Sequence, residues 1–505
     1  MAIPQGQMDA GVINTTRQLR KYYMSEPFNV DSFISLATSH ATQIADYEIL
    51  MDYYRGNHIA IQRRKFDDTN KPNNRVVHNF PKAIVDASTA HLVGEAVSYS
   101  GHEATIEAML PILKANFVDD VNMEESKLAA IMGHCFEIGW MKDVEGEDKA
   151  QWMFKQVSAR NCFIAYSMDL EERPLAAIHY NNFTDVITGG SIRVYEVYTK
   201  DKVYKFSSNT TEKGEELTQG SVRIYDNLLG MFQVTEILAN EERLGDFEGQ
   251  ISLIDAYNLA VSDSINDINY WNDAYLWLQG FDLTDDDDVA AMKNDRIIIT
   301  DDHGNIQFVT KDVNDAHIEN IKNRAKEDIF TFSFTPDMMS KDFAGSTAVA
   351  MEVRSTPLFN KTAIKEAKMR KSMQQRFKLI CKYLEVTGQA KEGTLKPLEV
   401  EPVFIRNTPQ AFTELADMAV KMRDIMSDET ILNQFPFVKN AMEEMDRVKK
   451  ERKDRVAQGL PENGVAQNML SKLKLDNNPA NNTQTTENPV AAKAQETAKN
   501  TQANN

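Results

Sequence analysis

The fold is decided by residues 341–356, KDFAGSTAVAMEVRST, and by residues 357–385, PLFNKTAIKEAKMRKSMQQRFKLICKYLE, which follow directly. The residues from Gly345 to Ala348 have little bulk, which predicts a mobile loop. Thr356 and Pro357 suit the start of a helix, because the hydroxyl can cap it and proline lacks the N–H that would be unpaired in the first turn. The stretch therefore predicts a loop joined to a long helix.

The predicted helix has one apolar stripe and a largely basic remainder. Apolar side chains recur every three or four residues at Met369, Met373, Phe377, Ile380 and Leu384. Before Glu385, the one acidic residue of the predicted helix is Glu366. Its basic residues are Lys361, Lys365, Lys368, Arg370, Lys371, Arg376, Lys378 and Lys382. Two interpretations of these charges stay open: proximity to a phosphate backbone, or a solvated helix face.

Composition limits the class of protein. The 505 residues are enough for two to four domain-sized units. The net charge of −19 argues against a protein that coats nucleic acid, although DNA can still slide past an acidic protein. Three widely spaced cysteines, Cys135, Cys162 and Cys381, predict buried thiols in a reducing compartment. The sequence has no signal-peptide design and no run of about 18 apolar residues, so we expect a soluble protein made in the cytoplasm.

The N-terminal half predicts an α+β body. Helical spacing runs from Asp31 to Tyr54 and from Pro81 to Val93, each followed by a glycine that can end a helix. A further helix is predicted over Lys127–Trp140, with His134 and Cys135 as a packed pair on its apolar side. An antiparallel sheet is predicted from segments rich in β-branched and aromatic residues: Trp152–Val157, Cys162–Tyr166, Ala176–Tyr180, Ile192–Tyr198 and Lys202–Phe206.

A second long element runs from Asp246 to Leu278. Its apolar residues step by four and three, which predicts one helix of about 33 residues and roughly 50 Å. The opposite face is polar and carries Asp255, Ser262, Asp263 and Asn266. A helix this long needs neighbours, either from its own chain or from copies of the chain. Candidate subunit-interface residues are Ile254, Val261, Ile265, Ile268, Trp271 and Tyr275, with core packing as the alternative for the aromatic ones.

The following segments predict smaller elements. An acidic run, Asp285, Asp286, Asp287 and Asp288, precedes a predicted hairpin of Arg296–Thr300 and Ile306–Thr310. Helices are predicted from Asp315 to about Phe330 and from Pro409 to Met426. The segment from Pro461 to the end of the sequence lacks aromatic residues and is rich in asparagine, glutamine, alanine and threonine, which predicts disorder.

Signatures of catalysis are missing from the sequence. No glycine is followed by lysine and then serine or threonine, so the phosphate-binding loop of a packaging ATPase is absent. The zinc-protease, esterase and paired-cysteine patterns are absent as well. Four clustered carboxylates at Asp285–Asp288 are compatible with Mg²⁺ or Ca²⁺, but they lack the spacing and the glycine of a calcium loop, which favours a solvated acidic loop. We therefore expect no catalytic residue, no bound metal and no cofactor.

A resemblance to a known family rests on three blocks and on the order of elements. YYRGNH (53–58), KPNNRVVHNFPKAIVD (71–86) and LVGEAVSYS (92–100) resemble the N-terminal part of portal proteins from long-tailed double-stranded-DNA phages. The order long helix, β insert, returning helix, small-residue loop and long basic helix is similar to the stem, clip, stem and tunnel-loop order of a portal. TAVAME (347–352) aligns with a Ser-Gly-Val-Ala-Leu-Lys type of pattern, with Ala348 where the family tends to have glycine.

The resemblance implies an α+β portal architecture that assembles as a closed ring, with twelve copies in the virion. Its expected divisions are a flexible segment (1–30), an α+β wing (31–240), a stem helix (241–280), a clip (281–314), a returning stem helix (315–335), a tunnel loop (336–356), the long basic helix of the wing (357–390), a helical crown (391–460) and a disordered tail (461–505).

The resemblance also implies sites and partners. Double-stranded DNA would pass a channel lined by Gly345, Ser346, Thr347, Met351, Glu352, Arg354, Lys361 and Lys365. The aspartates of the clip, Asp285–Asp288, would dock partners. Expected partners are the terminase large subunit, a head-completion adaptor, the major capsid protein and scaffold, with no membrane. The protein would occupy the portal vertex of the virion, and the host cytoplasm during assembly. Alternatives are a metal-dependent DNA-processing enzyme and an intracellular scaffold without a DNA role.

Overall fold

The structure, a computed structural model, divides into two units, residues 1–410 and 411–505. It describes residues 20–27, 29–65, 72–143, 150–184, 191–211, 214–218, 220–271, 275–279, 297–300, 306–309, 315–338, 340, 348–406, 417, 419–423, 425–432, 435, 438 and 441–457.

Helices predicted near the N-terminus of the sequence are confirmed. Helix α1 (Val30–Arg55) begins with a capping box between Asn29 and Ser32 and ends at Gly56, whose φ of +86° suits a residue without a side chain. A short helix α2 (Ile59–Gln62) follows. Helix α3 (Phe80–Val93) starts at Asn79, whose side chain accepts a hydrogen bond from the backbone N–H of Lys82.

The first unit contains a seven-stranded sheet. The five predicted strands are all present and mutually antiparallel where they pair. With β1 (Tyr22–Tyr23) at one edge, the sheet order is β1-β5-β6-β7-β8-β10, and β9 pairs with β8. The ranges are β4 Gln151–Ser158, β5 Cys162–Tyr166, β6 Pro174–Thr184, β7 Ser191–Thr199, β8 Lys202–Thr211, β9 Gly214–Leu217 and β10 Arg223–Asp226. Strand β4 belongs to a different sheet.

The predicted helix over Lys127–Trp140 is wrong in its second half. Helix α4 (Glu103–Ala115) is followed by α5 (Val118–Met132), which ends at Gly133 with φ +83°. The chain then enters strand β3 (His134–Lys142), which pairs with β4 and with β11 (Val234–Leu238). Glycine in a left-handed conformation ends a helix more strongly than the apolar spacing beyond it can extend one. His134 and Cys135 are buried, but on a strand.

The long helix predicted from Asp246 to Leu278 is also shorter than expected. After a 3₁₀ turn, helix α6 spans Ile251–Trp271. Strand β12 (Tyr275–Gln279) then lies between β13 (Ile297–Thr300) and β14 (Ile306–Val309), parallel to the first and antiparallel to the second. The predicted hairpin is therefore wrong, because β12 separates its two strands. The sequence YLWLQ (275–279) contains aromatic residues, which favour a β-strand when two partner strands can pair with it.

Helix α7 (Asp315–Phe332) returns, and helix α8 (Ala348–Val386) spans 39 residues. The apolar stripe predicted on α8 is confirmed, since Met369, Met373, Phe377, Ile380 and Leu384 are all buried. They pack in one core cluster with residues of α3, α4 and α5. Strand β15 (Val400–Val403) pairs antiparallel with β2 (Ser98–Gly101). In the second unit, the described helices are α9 (Asp428–Leu432) and α10 (Ala441–Ala457).

Candidate functional site

The predicted channel loop is only partly described. Gly345, Ser346, Thr347 and the aspartates Asp285, Asp286, Asp287 and Asp288 lie outside the described residues. Met351, Glu352 and Arg354 lie in the first two turns of α8, where Met351 is half-buried and the other two are exposed. Residues 348–356, predicted to belong to the tunnel loop, are therefore helical.

Helix α8 begins earlier than predicted and contains Pro357 in its interior. Thr356 is not a cap, because its hydroxyl donates back to the carbonyl of Glu352 (3.4 Å), as Ser355 does to the carbonyl of Met351 (2.8 Å). Proline cannot donate to the carbonyl four residues earlier, which belongs to Val353. Residues 348–352 (AVAME) are mainly strong helix formers. They extend the helix on the N-terminal side of Pro357, although one backbone hydrogen bond is missing there.

Two of the predicted channel lysines are used inside the chain. Lys365 is 5% exposed, and its Nζ lies 2.6 Å from Asp246 Oδ2 and 3.1 Å from Ser88 Oγ. Lys361 Nζ lies 3.1 Å from the same Asp246 oxygen and donates to the carbonyl of Ser333. Burial alone would raise the pKa of Asp246, but the two ammonium groups outweigh it and hold the pKa below its usual range. The cluster joins α8 to the chain just before α6, and Lys365 is not available to a phosphate in this structure.

The rest of the predicted basic face is largely neutralised by acidic neighbours. Arg376, predicted to be outside the apolar stripe, is 3% exposed and bonds to Glu125 and Glu137. Ion pairs also join Lys368 to Glu241, Arg370 to Glu366, and Lys382 to Glu385. The sequence count of basic residues overstated the exposed positive charge, because Lys365, Lys368 and Arg376 meet acidic partners from distant parts of the chain.

Lys365→Ala is expected to lower the free energy of unfolding by about 2 kcal/mol, because Asp246 loses a buried charged donor but keeps Lys361. DNA affinity and its salt dependence should match those of the unchanged protein. Urea unfolding and salt-titrated binding to a DNA duplex measure the two effects, with the exposed Lys371→Ala as control on the same helix. A loss of DNA affinity with unchanged stability would contradict this expectation and indicate that Lys365 lines the channel.

The predicted subunit-interface residues fall into different environments. Ile254 is fully buried in the chain's own core, so it is wrong as an interface residue in this conformation. Val261 and Ile265 are half-buried, and Ile268 is 59% exposed. Trp271 ends α6 and Tyr275 begins β12, and the described structure does not extend to their side chains. Of the four residues of this set whose side chains are described, Ile268 is the most exposed.

Helix α6 buries three polar residues, two of which, Ser262 and Asn266, sequence reasoning placed on the face opposite the apolar seam. Asn258, Ser262 and Asn266 lie one turn apart and accept the backbone N–H groups of three alternate residues in the extended segment 74–78. The pairs are His78 N to Asn258 Oδ1 (2.8 Å), Val76 N to Ser262 Oγ (3.0 Å) and Asn74 N to Asn266 Oδ1 (2.7 Å). The helix satisfies the segment's backbone as a neighbouring strand would. Polar residues at i, i+4 and i+8 were the signal that could have revealed this face.

Asp255, on the same helix, is another predicted outer residue that is buried. Tyr53 Oη lies 2.8 and 3.0 Å from its two carboxylate oxygens. Burial raises the pKa of Asp255 to about 6, although the bond from Tyr53 opposes the shift. The folded state therefore binds a proton that the unfolded state releases near pH 4, and stability falls as pH rises from about 4 to about 6.

Asp255→Asn is expected to remove this pH-dependent loss. The variant should gain stability relative to the unchanged protein as pH rises from 4 to 6, and the difference should level off above that range. Urea unfolding at half-unit pH intervals measures it. A stability difference that stays constant between pH 4 and 7 would contradict the raised pKa.

A buried side-chain relay resembles catalytic machinery but is closed to solvent. Tyr47 Oη lies 2.8 Å from His134 Nε2, and His134 Nδ1 lies 2.7 Å from Glu236 Oε1. Glu236 also accepts two bonds from Arg243 and one from Tyr166. Tyr47, His134 and Arg243 are each at most 2% exposed. Because a substrate cannot reach these atoms, the relay fixes helix α1 to strands β3, β5 and β11.

A wide cleft lies beside strands β4, β6, β7 and β8, with a volume of about 1390 Å³. Its wall includes Lys155, His179, Glu196 and Lys205. Glu196 is held by Lys205 (2.6 Å) and by the hydroxyl of Tyr198 (2.9 Å), and these bonds outweigh burial and lower its pKa. Across the described ranges, no group of three or more histidine, cysteine, aspartate or glutamate residues is arranged to hold a metal ion. Within the same ranges, every helix is too short or too polar to cross a bilayer.

Comparisons with known proteins match most of the chain. The family described as "Phage portal protein, SPP1 Gp6-like" matches residues 35–458. The portal protein of Bacillus phage SPP1 is 23% identical over 408 residues, covering 78% of this chain and 78% of that protein. The portal protein of Clostridium phage phiCD119 is 21% identical over 417 residues, covering 77% of this chain and 89% of that protein.

Two solved structures are similar at a lower level. "Neck of empty GTA particle computed with C6 symmetry" has a TM-score of 0.38 and 9% identity, covering 75% of this chain and 90% of that one. "Virion of native gene transfer agent (GTA) particle" has a TM-score of 0.38 and 11% identity, covering 84% of this chain and 99% of that one.

Both relatives are portal proteins of phages, so the class of protein to which this α+β chain is similar is the phage portal. The family match spans most of the 505 residues, so the chain belongs to the phage portal protein family, SPP1 Gp6-like. Its role is that of a portal vertex protein of the phage virion, with the genome-packaging and connector functions of that family.

Proposed function

We propose that copies of this chain form a closed ring, of twelve subunits in the virion, around a channel for double-stranded DNA. The single observation that carries the proposal is the family match over residues 35–458. The net charge of −19 supports a wall along which DNA slides, since few phosphates would be held in place. DNA would pass through this channel during packaging and again during ejection.

The structure supports a different set of channel-lining residues from the set that the sequence predicts. Glu352 and Arg354 are exposed on the first turns of α8, directly after the predicted loop residues Gly345, Ser346 and Thr347. We retain these five residues as channel candidates. Lys365 is excluded by its burial against Asp246, and Lys361 is largely committed to the same carboxylate.

Docking partners follow from the same proposal. The ring would bind the terminase large subunit during packaging and a head-completion adaptor afterwards, with Asp285–Asp288 as the candidate docking residues. Scaffold and the major capsid protein would surround it during assembly in the host cytoplasm. A purified terminase large subunit from the same phage should co-migrate with the ring on size exclusion. Replacing the four aspartates with asparagine should abolish this and leave the ring intact, whereas unchanged co-migration would contradict the docking assignment.

The proposal includes the absence of enzymatic activity. The portal family is structural, and the relay that most resembles catalytic machinery is buried. Plasmid DNA incubated with the ring and either Mg²⁺ or Mn²⁺ should remain intact. Divalent-dependent cleavage that survives repurification and disappears in the Asp285–Asp288 asparagine variant would instead favour a DNA-processing enzyme.

A further inference from the structure

A basic surface lies beside α6, where the end of α1, helix α2 and the segment 72–82 meet. Residues 53–82 contain seven basic residues and two acidic ones, which gives a net charge of +5 in a chain whose net charge is −19. The two acidic residues, Asp67 and Asp68, lie outside the described residues, as does Lys71. The chain therefore concentrates positive charge in this segment, although it is acidic as a whole.

Four of the described cations in this segment are exposed and form no ion pair with another described residue: Arg55, Arg63, Lys65 and Arg75. We call these four residues the basic patch. The two remaining cations are neutralised, because Arg64 pairs with Asp263 on α6 and Lys82 pairs with Asp86. Like charges that the fold brings close together repel one another, so an anion that binds among them relieves this repulsion.

Hydrogen bonds hold the two basic parts of the segment together. The carbonyl of Arg64 accepts a bond from Asn73 Nδ2 (3.2 Å) and another from Arg75 Nη2 (3.1 Å). Asn79 Nδ2 donates to the carbonyl of Tyr54 at the end of α1 (3.0 Å). Residues 74–78 are also bonded to the side chains of α6, as described above. A surface on such a fixed backbone loses little conformational freedom when it binds a partner.

The chemistry of the patch suits a phosphate backbone better than a protein surface. Across the described residues 29–65 and 72–116, no large apolar side chain is exposed, whereas protein interfaces are anchored by aromatic and aliphatic side chains. The exposed neighbours of the cations are instead the amide side chains of Asn57 and Gln62. Arginine, lysine, asparagine and glutamine are the side chains that bind phosphate oxygens in protein–DNA complexes, and a guanidinium can bind two of these oxygens at once.

We propose that the basic patch binds the phosphate backbone of double-stranded DNA. The patch is formed within one subunit, so its binding does not require the ring; the choice of DNA as the polyanion rests on the proposed function. This contact differs in kind from the proposed channel wall. Cations hold phosphates in place, whereas an acidic wall lets DNA slide.

A variant that neutralises the patch tests the proposal: Arg55→Gln, Arg63→Gln, Lys65→Gln and Arg75→Gln combined. Binding to a duplex of about 30 base pairs is measured by fluorescence anisotropy over a series of salt concentrations. Each phosphate contact contributes about 0.9 to the slope of log K against log salt, so the slope should decrease by about 3. The affinity at low salt should fall by at least about tenfold.

A matched control removes the same number of charges elsewhere: Lys114→Gln, Lys155→Gln, Lys200→Gln and Lys371→Gln combined. These lysines are also exposed and form no ion pair with another described residue. The control should keep most of the affinity and the salt slope of the unchanged protein. Equal losses in the two variants would mean that net charge alone sets the affinity, and they would overturn the proposal. A patch variant that binds as tightly as the unchanged protein would overturn it as well.

A smaller variant separates binding from folding. Arg63→Gln with Lys65→Gln leaves the bond from Arg75 to the carbonyl of Arg64 in place, so the melting temperature should not change. Its salt slope should decrease by about half as much as that of the full variant. An unchanged slope in this variant, at an unchanged melting temperature, would contradict the patch.

Two further readouts separate this proposal from its alternatives. Polyglutamate, at the same concentration of charge, should compete only weakly with the duplex; equal competition would assign the patch to an acidic protein segment and overturn the choice of DNA. Mass photometry of the same samples shows whether rings form. Monomers that bind DNA through the patch would contradict the ring but support the patch, whereas rings whose DNA affinity does not depend on the patch would contradict the patch alone.

Discussion

Arg376→Leu is expected to lower the free energy of unfolding by about 3–5 kcal/mol, because it leaves the buried carboxyl groups of Glu125 and Glu137 without their cation. Arg376 Nε donates to Glu137 Oε2 (2.6 Å), Nη2 to Glu125 Oε2 (2.8 Å) and Nη1 to Asn122 Oδ1 (2.7 Å). The guanidinium also lies 4.9 Å from the ring centroid of Phe154. One side chain of α8 thus holds both α5 and β3. Urea unfolding followed by circular dichroism measures the loss.

Two variants calibrate this expectation. Lys371→Leu changes an exposed charge on the same helix and should have little effect on unfolding. Glu125→Gln should also be tolerated: burial raises the pKa of that carboxyl, and an amide oxygen can still accept the bond from Arg376. If Arg376→Leu were as stable as Lys371→Leu, the buried cluster would have no part in holding α8 to the body.

Gly133→Ala is expected to destabilise the protein further. It should lower the free energy of unfolding by at least about 4 kcal/mol or prevent folding. A β-carbon at residue 133 would lie 2.0 Å from the carbonyl oxygen of Arg243 and 2.6 Å from the nitrogen of Leu244, both backbone atoms. The same glycine has a φ of +83°, ends α5 and accepts the N–H of Ala239 through its carbonyl. Neither the strain nor the clash can be relieved by a side-chain movement. Thermal unfolding and soluble yield are the readouts.

Gly230→Ala isolates the strain from the clash. Gly230 has a φ of +59°, and no described atom lies within 4 Å of the position its β-carbon would take. We expect the free energy of unfolding to fall by about 1–2 kcal/mol, which is the cost of the left-handed backbone alone. Equal losses in the two variants would mean that the close approach of residues 243–244 to the end of α5 is wrong.

Local signals in the sequence predicted much of the fold. The bounds of α1 and α3 follow from helical spacing and from the glycines after it, and strands β4 to β8 follow from β-branched and aromatic runs. These signals act over a few residues, so a single sequence contains them. One error, the helix predicted to run past Gly133, overlooked a local signal. Other errors occurred where contacts from far along the chain decide the outcome. Strand β12 forms because β13 and β14 pair with it, although its apolar spacing also continues the helix before it.

The candidate site was harder to predict from the sequence. Its exposed positive charge was judged by counting the basic residues of one helix. Lys365 and Arg376 look exposed on a helical projection of α8, yet each meets acidic residues more than 100 positions away. Ser262 and Asn266 were placed opposite the apolar seam, yet they bind a backbone segment that is remote in sequence. Periodicity shows which residues share a face, but it does not reveal which partner covers that face.

The central claim, that this chain is a portal subunit working as a ring, is tested most directly by negative-stain electron microscopy of the purified protein together with its mass in solution. The account predicts rings with a central hole wide enough for a DNA duplex, and a mass that is a whole multiple of 57.2 kDa. Monomers or dimers at every salt and protein concentration would contradict it.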